Sequence, residues 1–257
     1  MNDDAGLHRR LLAEFIGTAL LVTAVVGSGI AAARLSPGNV GLELFENAAA
    51  TAGALVAIIL AVGPVSGAHL NPVVTMADRY FGGVSTRQAA GYVGAQVSGA
   101  YVGALLANAM FSRAVVEIST KTRSSGGLWL AEAIATFALL LVIFGVVRSG
   151  RASAAPFAVG AYIGGAYFFT ASTSFANPAV TFGRMFSDTF AGIKPSSAPA
   201  FILAQLVGAA VAVGAIRVLY PNVAEVADRV VVPHFGNPAA DQTGNGRALG
   251  AAMDAES

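Results

Sequence analysis

The chain has 257 residues, of which 55% are hydrophobic and only 11% are charged, whereas ordinary soluble domains carry about a quarter charged residues. Its formal net charge is +1, which gives no indication of nucleic acid or of another strongly charged partner. The absence of cysteine excludes disulfides, thiolate metal sites and a cysteine nucleophile. Only three histidines are present, so the composition favours a membrane protein without a histidine metal site.

Six apolar segments are long enough, or nearly so, to cross a bilayer whose hydrocarbon core takes about 20 helical residues. Two further apolar segments, 69–81 and 175–186, are too short to span it, because a helix rises only about 1.5 Å per residue. The sequence therefore predicts an all-α membrane protein with six transmembrane helices and two half-helices. In chain order, the six predicted spans are residues 11–33, 44–65, 89–111, 128–147, 154–171 and 198–220.

Each short segment contains an Asn-Pro dipeptide near its start. Asn is a favoured N-cap residue and Pro suits the first helical position, so each dipeptide predicts the start of a helix. A helix that begins at membrane depth directs the positive end of its dipole into the bilayer. Two such starts predict a polar site at the midplane, which is typical of channels and transporters. The residues at the two starts are Asn71, Pro72 and Val73 in the first half, and Asn177, Pro178 and Ala179 in the second.

Three landmarks recur in the same order in the two halves of the chain. The Ala-Glu-x-x-x-Thr motif containing Glu14 is repeated around Glu132, the Asn-Pro boxes follow, and residues 95–100 resemble residues 204–209. Each half holds three spans, an odd number, so the second half enters the membrane from the opposite side. The prediction is an inverted repeat in which the two half-helices dip in from opposite faces.

This repeat sets the predicted domain limits. The channel domain covers residues 11–220, with repeat one at about 11–111 and repeat two at about 128–220. Residues 1–10 form an N-terminal segment, and the polar tail, residues 221–257, is predicted to be disordered.

Over about residues 8–220, these motifs resemble those of the aquaporins and aquaglyceroporins, the major intrinsic protein family. The resemblance rests on the paired Asn-Pro boxes, the Ala-Glu-x-x-x-Thr repeat and the Ser-Gly-Ala-His sequence that ends at His69. It implies half-helices that meet tip to tip, with the Asn71 and Asn177 amides donating to a solute in single file. It also implies a homotetramer with one pore per subunit in the inner (plasma) membrane, with both termini cytoplasmic and no cofactor.

The positions that correspond to the family's narrowest filter depart from its common pattern. Water and glycerol channels of the family usually carry Arg directly after the second box, and this chain has Val180 there. Counting from the two Asn residues places the other filter positions at Thr51, Gly165 and Ser174. These residues predict a wide, uncharged filter rather than a strict water filter.

The Asn-Pro-Val box, the Asn-Pro-Ala-Val-Thr box and the sequence of residues 187–193 are together similar to a bacterial subgroup associated with arsenical-resistance operons. This resemblance implies a passive channel for arsenite, in the form of neutral arsenous acid, and for related neutral arsenicals. Glycerol and water are the expected co-permeants. The alternative within the channel class is a general glycerol and water facilitator.

Several polar residues have two interpretations. Glu14 and Glu132 lie inside spans, where ionisable groups usually have a function; a role as hydrogen-bond acceptors that support the half-helices is favoured over a proton relay. His69 either lines the pore mouth or makes a structural hydrogen bond to loop backbone. Arg184 and Asp188 are interpreted as loop structure or vestibule charge.

Two other functional classes are less consistent with the sequence. A secondary transporter with inverted repeats would need an ionisable coupling site at the midplane, and the available glutamates already have a structural interpretation. A membrane enzyme would need a nucleophile and base, or metal ligands, within the spans. The sequence offers no such group, so no catalytic or metal-binding residue is predicted and the chain is not expected to be an enzyme.

Overall fold

The computed structural model describes residues 3–220 of the chain, with side chains described from residue 6. The tail 221–257 and its predicted disorder lie outside the described residues. The described part is all-helical, which confirms the predicted fold class. Its helices are α1 Asp3–Leu35, α2 Val40–Ser66, α3 Pro72–Phe81, α4 Thr86–Met110, α5 Gly126–Arg148, α6 Ala155–Phe169, α7 Pro178–Gly183 and α8 Ala198–Leu219.

Six of these helices are long and two, α3 and α7, are short. Five of the long helices are both long and apolar enough to cross a membrane, and the exception is α4, whose Gly, Ser, Gln and Asn residues make it less apolar. Helix α1 begins at Asp3 rather than at the predicted residue 11, because a helix can continue beyond the bilayer as a polar segment. Short 3₁₀ turns precede α6 and follow α7.

The two halves of the chain pack in the same way. Helix α1 lies against α4, and its counterpart α5 lies against α8. A Cβ atom on Gly99 of α4 would overlap the backbone carbonyl of Phe15, and one on Gly208 of α8 would overlap that of Ala133. Glycine therefore permits a close approach of the paired helix backbones at equivalent points of the repeat, as is common in membranes.

The loops that lead into the half-helices contain non-glycine residues in the left-handed backbone region. Ala68 and Leu70 have φ values of 48° and 52°, and Ser174 and Ala176, which occupy equivalent positions in the second half, have values of 48° and 47°. Such conformations cost of the order of 1–3 kcal/mol per residue and persist only where the surroundings hold them. Buried glutamates provide this restraint in both halves.

Glu14 of α1 is fully buried behind the first loop. Its Oε1 accepts hydrogen bonds from the Ser66 hydroxyl at 2.6 Å and the His69 N–H at 2.9 Å, and its Oε2 accepts from the Leu70 N–H at 2.7 Å. The Gln96 side-chain amide of α4 also donates to Oε2, at 2.8 Å. One carboxylate therefore ties the loop to two transmembrane helices.

Glu132 of α5 does the same for the second loop. It accepts the N–H groups of Phe175 and Ala176, both at 2.9 Å, and the side-chain amide of Gln205 on α8 at 2.6 Å. These are contacts to loop backbone, the kind that a supporting role requires. That the fold depends on them is a prediction that substitution can test.

We expect Glu14→Gln to lower the thermal unfolding midpoint of the detergent-solubilised protein. The amide would place a donor against groups that are themselves donors, and an unsatisfied buried donor costs about 1–3 kcal/mol. Ser98→Ala is the control, because the exposed Ser98 hydroxyl bonds only to its own helix. Unfolding of Glu14→Gln at the wild-type temperature would contradict the supporting role.

Candidate functional site

Each half-helix begins at an asparagine that caps it. Asn71 Oδ1 accepts the Val73 N–H at 3.1 Å, and Asn177 Oδ1 accepts the N–H groups of Ala179 and Val180 at 3.0 and 3.2 Å. The proline after each asparagine lacks the N–H group that would otherwise have no intrahelical partner. The local sequence therefore fixes each side-chain oxygen to its own helix and leaves the amide nitrogen for other contacts.

The two amide nitrogens link the halves of the chain. Asn71 Nδ2 donates to the carbonyl of Ala176, and Asn177 Nδ2 donates to the carbonyl of Leu70, each at 2.8 Å. An amide nitrogen carries two hydrogens, so each asparagine retains one for another acceptor. The N-termini of both half-helices meet at this pair of bonds, and their dipoles make the potential there positive.

A second layer of side chains holds the caps in place. Gln96 donates to the Thr75 hydroxyl and Gln205 to the Thr181 hydroxyl, both at 2.9 Å. Each threonine hydroxyl donates in turn to the carbonyl of the asparagine that caps its helix. The same chain of bonds in both halves fixes the orientation of the two asparagines.

A cavity lies against both asparagines. Most of its wall is apolar, and α1, α2, α5 and α6 contribute to it together with the two loops and the half-helices. The predicted site residues in its wall are Thr51, His69, Asn71, Ser174, Asn177 and Val180. The predicted residues that do not line it are Glu14, Pro72, Val73, Glu132, Gly165, Pro178 and Ala179. Val73 instead lines a groove between α3 and α8.

Hydroxyl groups provide much of the polar character of this wall. The Ser174 side chain is 3% exposed, and its Oγ has no hydrogen-bond partner among the described residues. The Thr51 Oγ1 lies 3.1 Å from the hydroxyl of Tyr167, which also lines the cavity. A solute in the cavity can therefore exchange hydrogen bonds with hydroxyl as well as amide groups.

The prediction that Gly165 lines the filter is wrong. Gly165 lies exposed on the outer side of α6, with nothing within 4 Å of the position of a Cβ atom. Tyr167 occupies the place at the cavity that Gly165 was expected to fill. Two residues along an α-helix correspond to a rotation of about 200°, so a count that is two residues out selects the opposite face.

The sequence left Arg184 between loop structure and vestibule charge and did not place it among the filter residues. Its side chain is 2% exposed and lines the cavity together with Tyr167 and Val180. The sequence predicted a wide, uncharged filter, but the phenol ring of Tyr167 narrows the cavity and Arg184 adds a guanidinium to its wall. The spacing in the sequence could have drawn attention to Arg184, because it follows Asn177 by seven residues, just as the buried Asp78 follows Asn71.

His69 lies at the cavity wall near this aspartate. Its Nδ1 is 3.1 Å from the Thr75 hydroxyl, and its Nε2 is 3.5 Å from Asp78 Oδ2. Its ring meets Tyr92 edge to face at 5.2 Å. These contacts of the ring are to side chains, whereas the structural alternative considered for His69 was a hydrogen bond to loop backbone.

Three consecutive backbone carbonyls, those of Phe190, Ala191 and Gly192, form what we call the carbonyl collar. They accept hydrogen bonds from Lys121, Arg184 and Arg123, respectively. Burial, followed by the charges of Arg123 and Arg184, lowers the pKa of Lys121 from 10.5 to about 8. The three basic side chains that bind the carbonyl collar therefore lie close together, near the part of the cavity wall that Arg184 lines.

The fold and the site together define a membrane channel built as an inverted repeat around a pair of capping asparagines. The family model described as "Major intrinsic protein" matches residues 2–174 and 154–253. The chain belongs to the major intrinsic protein family, the aquaporins and aquaglyceroporins, as its motifs predicted. It is a channel protein of the membrane rather than an enzyme.

Named relatives agree with this assignment. The chain is 46% identical over 211 residues to "Aquaglyceroporin AqpS" of Rhizobium meliloti (strain 1021), covering 82% of this chain and 90% of that protein. It is 33% identical over 254 residues to the "Glycerol uptake facilitator protein" of Pseudomonas aeruginosa, covering 83% and 89%. The X-ray structure of the aquaglyceroporin from Plasmodium falciparum shares the fold, with a TM-score of 0.65, 24% identity and coverage of 84% of this chain and 98% of that one.

The lowered pKa of Lys121 predicts a pH dependence of stability. The folded protein releases this proton near pH 8, whereas the unfolded chain retains it up to about pH 10.5. The unfolded state then binds more protons in this window, so the free energy of unfolding rises with pH through it. Lys121→Gln should lack this contribution.

The measurement is the thermal midpoint of both proteins in detergent between about pH 7 and pH 9. Groups that titrate in both proteins cancel in the difference between them. We expect the wild type to gain stability relative to Lys121→Gln as the pH rises. A constant difference across the range would show that Lys121 does not titrate there.

Proposed function

We propose that this protein is a passive channel for small uncharged solutes, with arsenite and related neutral arsenicals as its physiological solutes and glycerol and water as co-permeants. The observation that carries the proposal is the cavity at the two capping asparagines. An apolar wall interrupted by a few hydrogen-bonding groups allows a small neutral molecule to pass without tight binding. The positive ends of the half-helix dipoles oppose the passage of cations and protons.

The chemistry of the wall suits a polyhydroxyl solute. Asn71 and Asn177 each retain an amide hydrogen, and the Ser174 hydroxyl has no described partner. Glycerol and arsenous acid each present three hydroxyl groups, which can both donate and accept. The relatives named as an aquaglyceroporin and a glycerol uptake facilitator support the glycerol part of the proposal, and the resemblance to the arsenical-resistance subgroup supports the arsenite part.

Arsenate should be excluded although the cavity wall contains a cation. Arsenate is an anion at neutral pH, and removing an ion from water into apolar surroundings carries a large energetic cost. Arg184 offers one counter-charge at one end of the cavity, while the wall beyond it is largely apolar. Arsenous acid is uncharged at neutral pH and does not incur this cost.

We further propose a homotetramer with one pore per subunit, in the inner membrane with both termini cytoplasmic. Large apolar side chains are exposed on the outer faces of the long helices, among them Leu12, Ile16 and Leu20 on α1 and Leu203, Val207 and Val211 on α8. Such faces suit lipid or a neighbouring subunit.

The direct test is uptake of arsenic by proteoliposomes, measured by mass spectrometry after rapid filtration. We expect arsenite to equilibrate quickly and arsenate to enter at the rate of protein-free vesicles, because only arsenite is neutral. A counterflow experiment distinguishes a channel from a secondary transporter, since a channel shows no saturable exchange. Strong water or glycerol flux without arsenite flux would contradict the arsenical assignment and leave a general facilitator.

Val180→Arg tests whether this position limits solute size. A guanidinium beside Tyr167 should narrow the lumen, so we expect glycerol permeability to fall by a larger factor than water permeability in stopped-flow light scattering. Thr51→Phe should act in the same direction, because the ring fills the lumen and removes a hydroxyl group. Ser98→Ala, on the outer face of α4, is the control. An equal reduction for both solutes would show that neither position sets the size limit.

A further inference from the structure

The guanidinium of Arg184 is held in a fixed position at the cavity. Its central carbon lies 3.4 Å from the centre of the Phe175 ring, and its Nε donates to the Ala191 carbonyl of the carbonyl collar. Stacking on an aromatic face and a hydrogen bond through Nε are well suited to the planar guanidinium. Together they restrict its rotation and leave the N–H groups of its two terminal nitrogens outside these two contacts.

Those terminal nitrogens have no hydrogen-bond partner or carboxylate partner among the described residues. Arginine has five N–H donors, and only the one on Nε is engaged in the described part of the chain. A buried cation without a carboxylate partner is costly in structural terms. Here the side chain instead borders the cavity, where water or a solute can satisfy the remaining donors.

Arg123, which also lies near the Phe175 ring, provides a contrast. Its guanidinium lies 5.0 Å from the Phe175 ring centre and donates to the carbonyls of Ser172, Phe190 and Gly192. It does not line the cavity. Arg123 therefore holds loops together, whereas Arg184 keeps donors available at the lumen.

The two halves of the internal repeat carry opposite charges at equivalent positions. Arg184 and Phe175 occupy the positions that Asp78 and His69 occupy in the first half, counted from the capping asparagines. The two pairs are also in contact, His69 with Asp78 and Phe175 with Arg184. Equivalent positions of the repeat thus carry a buried carboxylate that does not line the cavity in the first half and a guanidinium that does line it in the second.

From this geometry we propose that Arg184 supplies the cation-excluding charge and the solute-facing donors at the entrance to the constriction, one helical turn beyond Val180. The proposal rests on the channel function proposed above. The Arg184 backbone N–H donates to the Val180 carbonyl, so the backbone of residue 184 lies about one helical turn beyond that of residue 180. Arg184 then determines which charged species reach the narrow lumen, while Val180 and Tyr167 shape the lumen itself.

The test uses the absence of cysteine from the chain. In proteoliposomes, Arg184→Cys should raise Na⁺ leakage by at least about tenfold, because a unit charge at short range in a low-dielectric site is worth well over the free energy of a tenfold change. Reaction with a thiosulfonate reagent that attaches an aminoethyl group should restore exclusion, since it returns a positive charge. The neutral methyl reagent should not restore it, although it also adds volume.

Arg113→Cys is the matched control, because Arg113 belongs to the loop between α4 and α5, pairs with Glu117 and does not line the cavity. Its leakage should match the wild type before and after both reagents. If Arg184→Cys fails to fold, Arg184→Lys provides a second experiment with phenylglyoxal, a reagent that modifies the guanidinium group of arginine. This reagent should raise the Na⁺ leakage of the wild type. It should leave the leakage of the lysine variant unchanged, because that variant has no guanidinium at position 184.

The outcomes separate this inference from the proposed function. A wild type that conducts neither glycerol nor arsenite would overturn the channel proposal itself. A conducting wild type together with a folded Arg184→Cys protein that excludes Na⁺ equally well would overturn the role of Arg184. Equal restoration by the charged and neutral reagents would also overturn it, because volume rather than charge would then be responsible.

Discussion

The carboxylates of Glu14 and Glu132 accept the backbone N–H groups of the two loops that enter the membrane, and we expect the rest of the site to depend on these contacts. A chain that enters the bilayer without crossing it exposes backbone groups that no water satisfies. Each glutamate accepts the N–H groups of two successive loop residues. The loop carbonyls of Leu70 and Ala176 remain available to the asparagines of the opposite half. The half-helices can therefore meet because their loops are held from behind.

Much of this architecture could be predicted because it depends on local chemistry. An Asn-Pro pair specifies a capped helix start wherever it lies, and the position of Glu14 relative to Glu132 revealed the repeat. The helix bounds agree with the predicted spans to within a few residues, except at the start of α1. That start could not be predicted from hydropathy, because a helix that leaves the hydrocarbon region need not end there.

The wall of the cavity was harder to predict, because it depends on which face of each helix turns inward. Thr51 follows from a count along a continuous helix that ends close to the first box. The count to Gly165 crosses the loop between α6 and α7, and the length of that loop is not fixed by any periodicity, so Tyr167 was missed. The position of Arg184 in the cavity wall could not be predicted for another reason. Its burial depends on Phe175 and on the Ala191 carbonyl, which are contacts that no pattern within the half-helix reveals.

The separation of Val180 from Arg184 has a consequence for the kind of solute that the channel can select. A cation placed directly in the narrowest part of a pore both repels cations and occupies volume, so charge exclusion and size exclusion act together. Here the charge belongs to Arg184, whose guanidinium is stacked on Phe175 at the entrance to the constriction. The residue directly after the second Asn-Pro-Ala box is the aliphatic Val180. In the proposed arrangement a solute that passes from the Arg184 side reaches the guanidinium before the wall that Val180, Tyr167 and Thr51 provide. In this proposed arrangement the charge that excludes cations does not occupy the lumen at position 180, which suits a channel for neutral hydroxyl compounds.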